Sequence, residues 1–170
     1  MMHTLYLLRH AKSSWSNPSL PDQERSLAKR GRRDAKRIAK HLARIGIEPA
    51  LVLCSSTERT RETLELVRPA LGPTSRVSLE AELYAASSAE LLERIRSVDQ
   101  EEASVMLIGH NPGLQDLALF LASAGVELER LTAKFPTAAL ATLTITKTPW
   151  RQLSRGDAVL AAYVVPKQLA

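Results

Sequence analysis

The sequence is short of several things at once, and each shortage closes a class of function. It has one cysteine, Cys54. No internal disulfide framework can form, which fits a reducing compartment. Cys54 lies inside an apolar run and is expected to be a buried, inert thiol. Aromatic residues are few: two Trp, three Tyr and two Phe. No basic strand interleaves them with Lys and Arg, so the stacking surface that nucleic-acid-binding sheets use is missing. No apolar run approaches the roughly 18 residues of a membrane span. The chain does not open on a charged stretch followed by an apolar core and a cleavage site, so the expected location is cytoplasmic. The histidines and the cysteine do not fall at metal-ligand spacing, and there is no Gly-rich phosphate loop. On these grounds no metal, cofactor, membrane or nucleic-acid partner is expected.

What is present is a positive balance. The net charge is +5 and the pI is near 9.7, which favours an anionic partner without choosing among phosphate, an acidic protein surface and nucleic acid. A length of 170 residues with 45% hydrophobic content suits a single domain over residues 1–170 with a real core.

One pattern recurs. Thr4 to Leu8 is a run of apolar residues that reads as a buried strand, and it ends abruptly in Arg9-His10. Ser104 to Gly109 repeats the design and ends in His110, with Asn111 suited to a helix N-cap and Pro112 to the first helical position. Ala50 to Cys54 is a further strand, running through Ser55-Ser56 into a helix from about Thr57, with Arg59 in its first turn. Strand ends at one sheet edge are where open α/β sheets bind ligands. Arg9, His10, Arg59 and His110 gathered there would make an oxyanion pocket, because guanidinium groups grip phosphate through paired donors.

These stretches resemble a known family. Leu8-Arg9-His10-Ala11, then Ser55-Ser56-Thr57-Glu58-Arg59 with Thr63, then Gly109-His110-Asn111-Pro112, are similar in order and placement to the histidine phosphatase superfamily, the fold of phosphoglycerate mutase. The Arg-His-Ala-Lys-Ser form and the short length resemble its small SixA-like branch of phosphohistidine phosphatases. Ala11 stands where most of the superfamily has Gly, and Ser56 where many members have Pro; neither change touches a charged group. The resemblance implies a three-layer α/β/α sandwich. Its central sheet would be mostly parallel, with an antiparallel strand near the C-terminus. It also implies His10 as nucleophile, with Arg9, Arg59 and His110 holding the phosphoryl oxygens. In larger members an acidic residue acts as general acid, and Glu82 is the best match here; a rim carboxylate without that role is the alternative.

Other candidates follow from position. Lys12 to Arg25 is a loop after the expected nucleophile, so it should form part of the pocket wall. Ser13 could donate to a phosphoryl oxygen or be an ordinary loop serine. Trp15 could lid the site or cover the sheet edge. Arg25 would lie near the rim. Asn111 and the helix start beside it would add backbone donors. Lys29 to Ile45 reads as a helix with Ala35, Ile38, Ala39, Leu42 and Ile45 on one stripe, stopped by Gly46. Its basic face, which includes Arg33, Lys36, Arg37, Lys40 and Arg44, is either a docking surface or a solvated one. Helices are expected over 57–71, 88–98 and 112–124, a loop over 130–136, and closing strands over 139–146 and 158–164.

The expected activity is phosphoryl transfer to His10 followed by hydrolysis. Phosphohistidine on a signalling protein is the favoured substrate, with inorganic phosphate as product. An imidazole leaves with little help, whereas an alkoxide needs a proton donor. The alternatives are a phosphatase of small esters or anhydrides, and a non-catalytic module that binds phosphate or nucleic acid.

Overall fold

A computed structural model describes residues 2–169. Seven strands form one sheet: β1 (His3–Arg9), β2 (Leu51–Ser55), β3 (Arg76–Glu80), β4 (Ser104–Gly109), β5 (Ala122–Ala124), β6 (Leu140–Ile145) and β7 (Ala158–Val164). Their order is β3-β2-β4-β1-β6-β7-β5. β1 pairs in parallel with β4, β4 with β2, and β2 with β3, while β6 runs antiparallel to both β1 and β7. Since β5 is parallel to β7, β6 is the single reversed strand among the described residues. It can reverse because the connection to β7, over residues 146–157, holds one short turn at Trp150–Gln152 and no α-helix that crosses over the sheet.

Helices α1 (Lys29–Ile45) and α2 (Glu58–Val67) cover one face, and α3 (Ser88–Arg96), α4 (Gly113–Leu121) and the short α5 (Leu128–Ala133) cover the other. The strands alternate accordingly. Leu5 and Leu7 point into the α3/α4 core, and Leu8 into the α1/α2 core. Strands covered on both faces read as continuous apolar runs, which is why β1, β2 and β4 were visible in the sequence.

Several boundaries depart from expectation. The helix expected over 112–124 ends at Leu121, and Ala122–Ala124 adds the edge strand β5. The loop expected over 130–136 contains most of α5, with Leu131 buried beneath it. α2 gives way to a tighter turn at Arg68–Ala70, where Pro69 cannot supply a helical N–H. α1 has the expected bounds and stops at Gly46 in the left-handed conformation (φ 71°). Ile45, however, is half exposed and lies outside the buried stripe.

The topology creates a crevice. After β1 the chain crosses toward β2 on one side, and after β4 it crosses to β5 at the opposite edge. The carboxyl ends of adjacent strands β1 and β4 therefore open between connections that leave in opposite directions, the usual ligand position in such sheets.

Candidate active site

Register brings the histidines together. Arg9 on β1 lies beside Gly109 on β4, so His10 and His110 leave neighbouring strands at the same level. Their ring centroids are 5.2 Å apart. β2 ends at Ser55, and Arg59, in the first turn of α2, reaches the same cleft, which has a volume of about 430 Å³. Arg9, His10, Arg59 and His110 all line it, as expected from sequence.

The His10 ring is fixed by its own backbone. Nδ1 lies 2.7 Å from the Ala11 carbonyl. A carbonyl only accepts, so Nδ1 carries the proton and donates, and Nε2 is left with its lone pair. Burial is the main force holding the ring neutral. It pushes the pKa down to about 3 against the opposing pull of the Ala11 carbonyl, with His110, Arg59 and Arg9 adding to the depression. Burial rather than the adjacent arginines is thus the leading cause, a correction to the emphasis that the sequence suggested. His110 is lowered to about 4, first by burial and then by Arg59. Its Nε2 is 2.8 Å from Ser55 Oγ.

A threonine ties the two halves of the site. Thr63 Oγ1 accepts the Ala11 N–H at 3.0 Å and donates to the Arg59 carbonyl at 2.7 Å. The residue after the histidine is thereby locked to the turn of α2 that carries the arginine. Arg9 donates through one terminal nitrogen to the Phe135 carbonyl at 3.0 Å, while its buried Nε has no protein partner.

The acidic residue in the cleft is Asp22, which sequence reasoning missed. Its Oδ2 accepts from Arg59 at 2.9 Å and from the Tyr84 hydroxyl at 2.6 Å, and its Oδ1 accepts from Arg25 at 3.0 Å. The Asp22 carbonyl accepts the other Arg59 nitrogen at 2.6 Å. These donors, the Tyr84 hydroxyl foremost, hold the carboxyl far below its usual range, so it is an anion at neutral pH. The expected acid, Glu82, is not in the cleft. It is exposed and lines a separate hollow beside Glu80, Glu90 and Arg94. A tight turn at Ala81–Leu83 buries Leu83 and sends Tyr84, two residues on, into the site. The signal available was the aromatic that follows Glu82-Leu83.

The remaining candidates divide. Arg25 and Ser13 both line the cleft and are buried, and Arg25 donates to Ser13 Oγ at 2.5 Å and to the Ser14 carbonyl at 3.1 Å. Trp15 stacks on the Arg25 guanidinium at 3.2 Å and is two-thirds exposed, so it roofs Arg25 and does not cover the sheet edge. Asn111 lines the cleft, but its amide is engaged: Nδ2 donates to the Phe135 carbonyl at 3.1 Å and Oδ1 accepts the Gln115 N–H at 3.2 Å. α4 starts at Gly113, one residue later than expected, behind a cis Asn111-Pro112 bond. The Leu114 N–H donates to the His110 carbonyl at 3.1 Å. The Leu114 and Gln115 N–H groups therefore serve the loop and not the site, which corrects that part of the expectation for the helix start. Among the described residues, no cluster of three or more His, Cys, Asp or Glu side chains is placed to hold a metal ion.

The cleft thus offers the side chains of Arg9, Arg25, Arg59 and Lys12 around a neutral, oriented imidazole. Such a set can hold a phosphoryl dianion against a lone pair.

Residues 5–86 match the histidine phosphatase superfamily (branch 1). Over 166 residues the chain is 33% identical to an uncharacterised protein of Mycobacterium tuberculosis, covering 94% of this chain and all of that one. It is also 33% identical to an uncharacterised chloroplastic protein of Arabidopsis thaliana, covering 76% of this chain. There it spans 63% of the relative, less than two thirds of its length. A crystal structure from Agrobacterium tumefaciens, named for the phosphohistidine phosphatase SixA, superposes with a TM-score of 0.79 at 30% identity, covering 96% of this chain and 98% of that one. Fold, strand-end motifs and kinship agree, and the chain belongs to the histidine phosphatase superfamily, among its SixA-like members, with phosphatase chemistry as its class of activity.

Proposed function

We propose that the protein removes phosphate from phosphohistidine on another protein, through a phosphohistidine intermediate on His10. The observation that carries this reading is the His10 ring itself. Its Nδ1 is committed to the Ala11 carbonyl at 2.7 Å, in a cleft whose one carboxylate among the described residues is the anionic Asp22. Nε2 attacks phosphorus, the P–N bond of the substrate breaks, and the departing imidazole takes its proton from water. Arg9, Arg59 and His110 hold the phosphoryl oxygens as charge shifts between the nitrogens. Water then attacks the phosphorylated His10, and inorganic phosphate leaves.

The lack of a protonated acid favours this substrate class. An imidazole ring protonates near pH 6.5 and departs with little assistance, whereas an alkoxide needs a donor in place. Asp22, held ionised by Tyr84, Arg59 and Arg25, is not such a donor. The rim is open enough to admit a side chain displayed on a protein surface, and the lone, buried Cys54 suits the cytoplasmic location that we also propose.

The test is single-turnover hydrolysis of a phosphohistidine-bearing protein beside a sugar phosphate and p-nitrophenyl phosphate, with His10→Ala as control. Faster His10-dependent loss of phosphate from the protein supports the proposal. Turnover confined to the small esters overturns the substrate assignment, and absence of His10-dependent turnover on all of them overturns the mechanism.

A further inference from the structure

A second depression of about 520 Å³ lies next to the cleft, and Thr137 lines both. One wall is a face of α1. Arg30, Arg33, Asp34 and Arg37 recur at three- and four-residue steps and so stack on one side of the helix. This helix begins at the cleft: Gly31 in its first turn packs so closely on Lys12 that a Cβ there would meet the Lys12 carbonyl oxygen at 2.1 Å. The facing wall carries Arg130 and Lys134, from α5 and the residue after it, with Lys167 near the end of the described chain. Lys134 to Thr137 is a partition. The Phe135 carbonyl on its inner side takes Arg9 and Asn111, and Lys134, Pro136 and Thr137 face the groove.

The charge of this groove is one-sided. Among the described residues, six cationic side chains line it against the single carboxylate of Asp34. Asp34 is shared between Arg30 at 3.7 Å and Arg37 at 3.5 Å, and Arg130 pairs with Glu127. Arg33, Lys134 and Lys167 have no ion pair among the described residues, and all three are exposed. A groove that concentrates like charge on facing walls over an apolar floor focuses its potential on whatever lies along it. The floor is apolar: Tyr163 is buried there, under the Arg130 guanidinium at 5.3 Å, with its hydroxyl donating to the Lys134 carbonyl.

We propose that this groove is a docking site for an acidic segment of the phosphorylated partner protein, held beside the cleft while its phosphohistidine enters. The proposal rests on the phosphohistidine reading above and adds the chemistry by which the partner is chosen. Complementary charge favours an acidic chain, and the shared wall at Thr137 makes it continuous with the reacting group. An acidic polypeptide fits better than nucleic acid. The one aromatic ring of the groove is buried and capped by Arg130, so no face is left on which a base could stack.

Two measurements test it. The first is turnover of two synthetic phosphohistidine peptides, alike except that one carries a run of glutamates beside the histidine and the other a run of glutamines. The second is fluorescence anisotropy of the unphosphorylated, labelled glutamate peptide, with a labelled single-stranded DNA for comparison. The variant is Arg33→Glu/Lys134→Glu/Lys167→Glu. Its control is Arg151→Glu, at the opposite end of the sheet, where Trp150 donates to the Glu102 carbonyl ahead of β4. The expected results are about tenfold higher kcat/KM for the glutamate peptide at low salt, loss of that preference in the triple variant but not in the control, and p-nitrophenyl phosphate turnover unchanged within about threefold. Peptide binding should disappear in the triple variant and fall with salt. No preference, or a preference that survives the triple variant, overturns the proposal. Tighter binding of the DNA than of the peptide overturns it in favour of nucleic acid. Should neither peptide be dephosphorylated while p-nitrophenyl phosphate is, the substrate reading fails, and groove-dependent peptide binding then decides separately whether the docking site stands.

Discussion

Thr63→Val is the substitution with the sharpest consequence. Valine matches threonine in shape but removes the hydroxyl that accepts the Ala11 N–H at 3.0 Å and donates to the Arg59 carbonyl at 2.7 Å. Thr63 is almost fully buried, so no water replaces it. The Arg59 carbonyl keeps its place in the helix ladder, but the Ala11 N–H is orphaned. A buried donor left unpaired costs about 1–3 kcal/mol. For a chain of this size that lowers the melting temperature by roughly 2–10 °C. The larger effect is on alignment. Ala11 supplies the carbonyl that orients His10, and Arg59 loses its tie to that segment. Misplacement by about 1 Å costs on the order of a hundredfold in rate, so a drop of about tenfold to a hundredfold in kcat is expected with little change in KM. Urea denaturation and steady-state turnover of p-nitrophenyl phosphate measure the two effects, with Thr63→Ser restoring both because it keeps the hydroxyl. Wild-type kcat in the valine variant would refute the view that this bond sets the geometry of the nucleophile.

The remaining predictions use the same site. His10 and His110 are held at about 3 and about 4, while in the unfolded chain they titrate near 6.5. The unfolded state therefore takes up protons first. The stability they contribute is complete above pH ~6.5 and is lost as pH falls toward their folded values, by at most about 2 kcal/mol per histidine at pH 5. A His10→Asn/His110→Gln variant should flatten the urea midpoint between pH 7 and 5; an equally steep fall in the variant would count against the assignment. Asp22→Asn frees Arg59 and Arg25 from a competing carboxylate, so inorganic phosphate should bind several-fold more tightly by calorimetry, and unchanged or weaker binding would contradict that. Glu82→Gln should leave kcat on p-nitrophenyl phosphate within about twofold, since the side chain lies outside the cleft. Gly31→Ala places a methyl group against the Lys12 carbonyl and should cost about 1–3 kcal/mol while lowering activity; a variant as stable as wild type would show that α1 is not clamped to the loop after His10.

Much of the framework was legible in the sequence, and for definite reasons. Strands buried on both faces must be apolar throughout, so β1, β2 and β4 stood out, and each led at or just beyond its end to a residue that lines the cleft: Arg9 and His10 from β1, Arg59 from β2, His110 from β4. The period of α1 and the glycine after it fixed that helix to the residue, and Arg9, His10, Arg59 and His110 followed because a strand end is a place the chain itself marks. What only tertiary structure decided is which side chains from separate loops converge. Asp22 lies 37 residues from Arg59 and 62 from Tyr84, and no local pattern encodes that meeting. Glu82 matched in sequence but lies on the wrong side of a tight turn, because burying Leu83 dictates which neighbour turns inward. The edge strand β5 is three residues long and gains its pairing from β7, so its own sequence carries almost no signal. The basic face of α1 was visible as charge, but whether it was a solvated surface or one wall of a groove depended on α5 and on residues more than a hundred positions away. Local chemistry is written along the chain, whereas the opposition of two charged walls exists only once the sheet has brought them face to face.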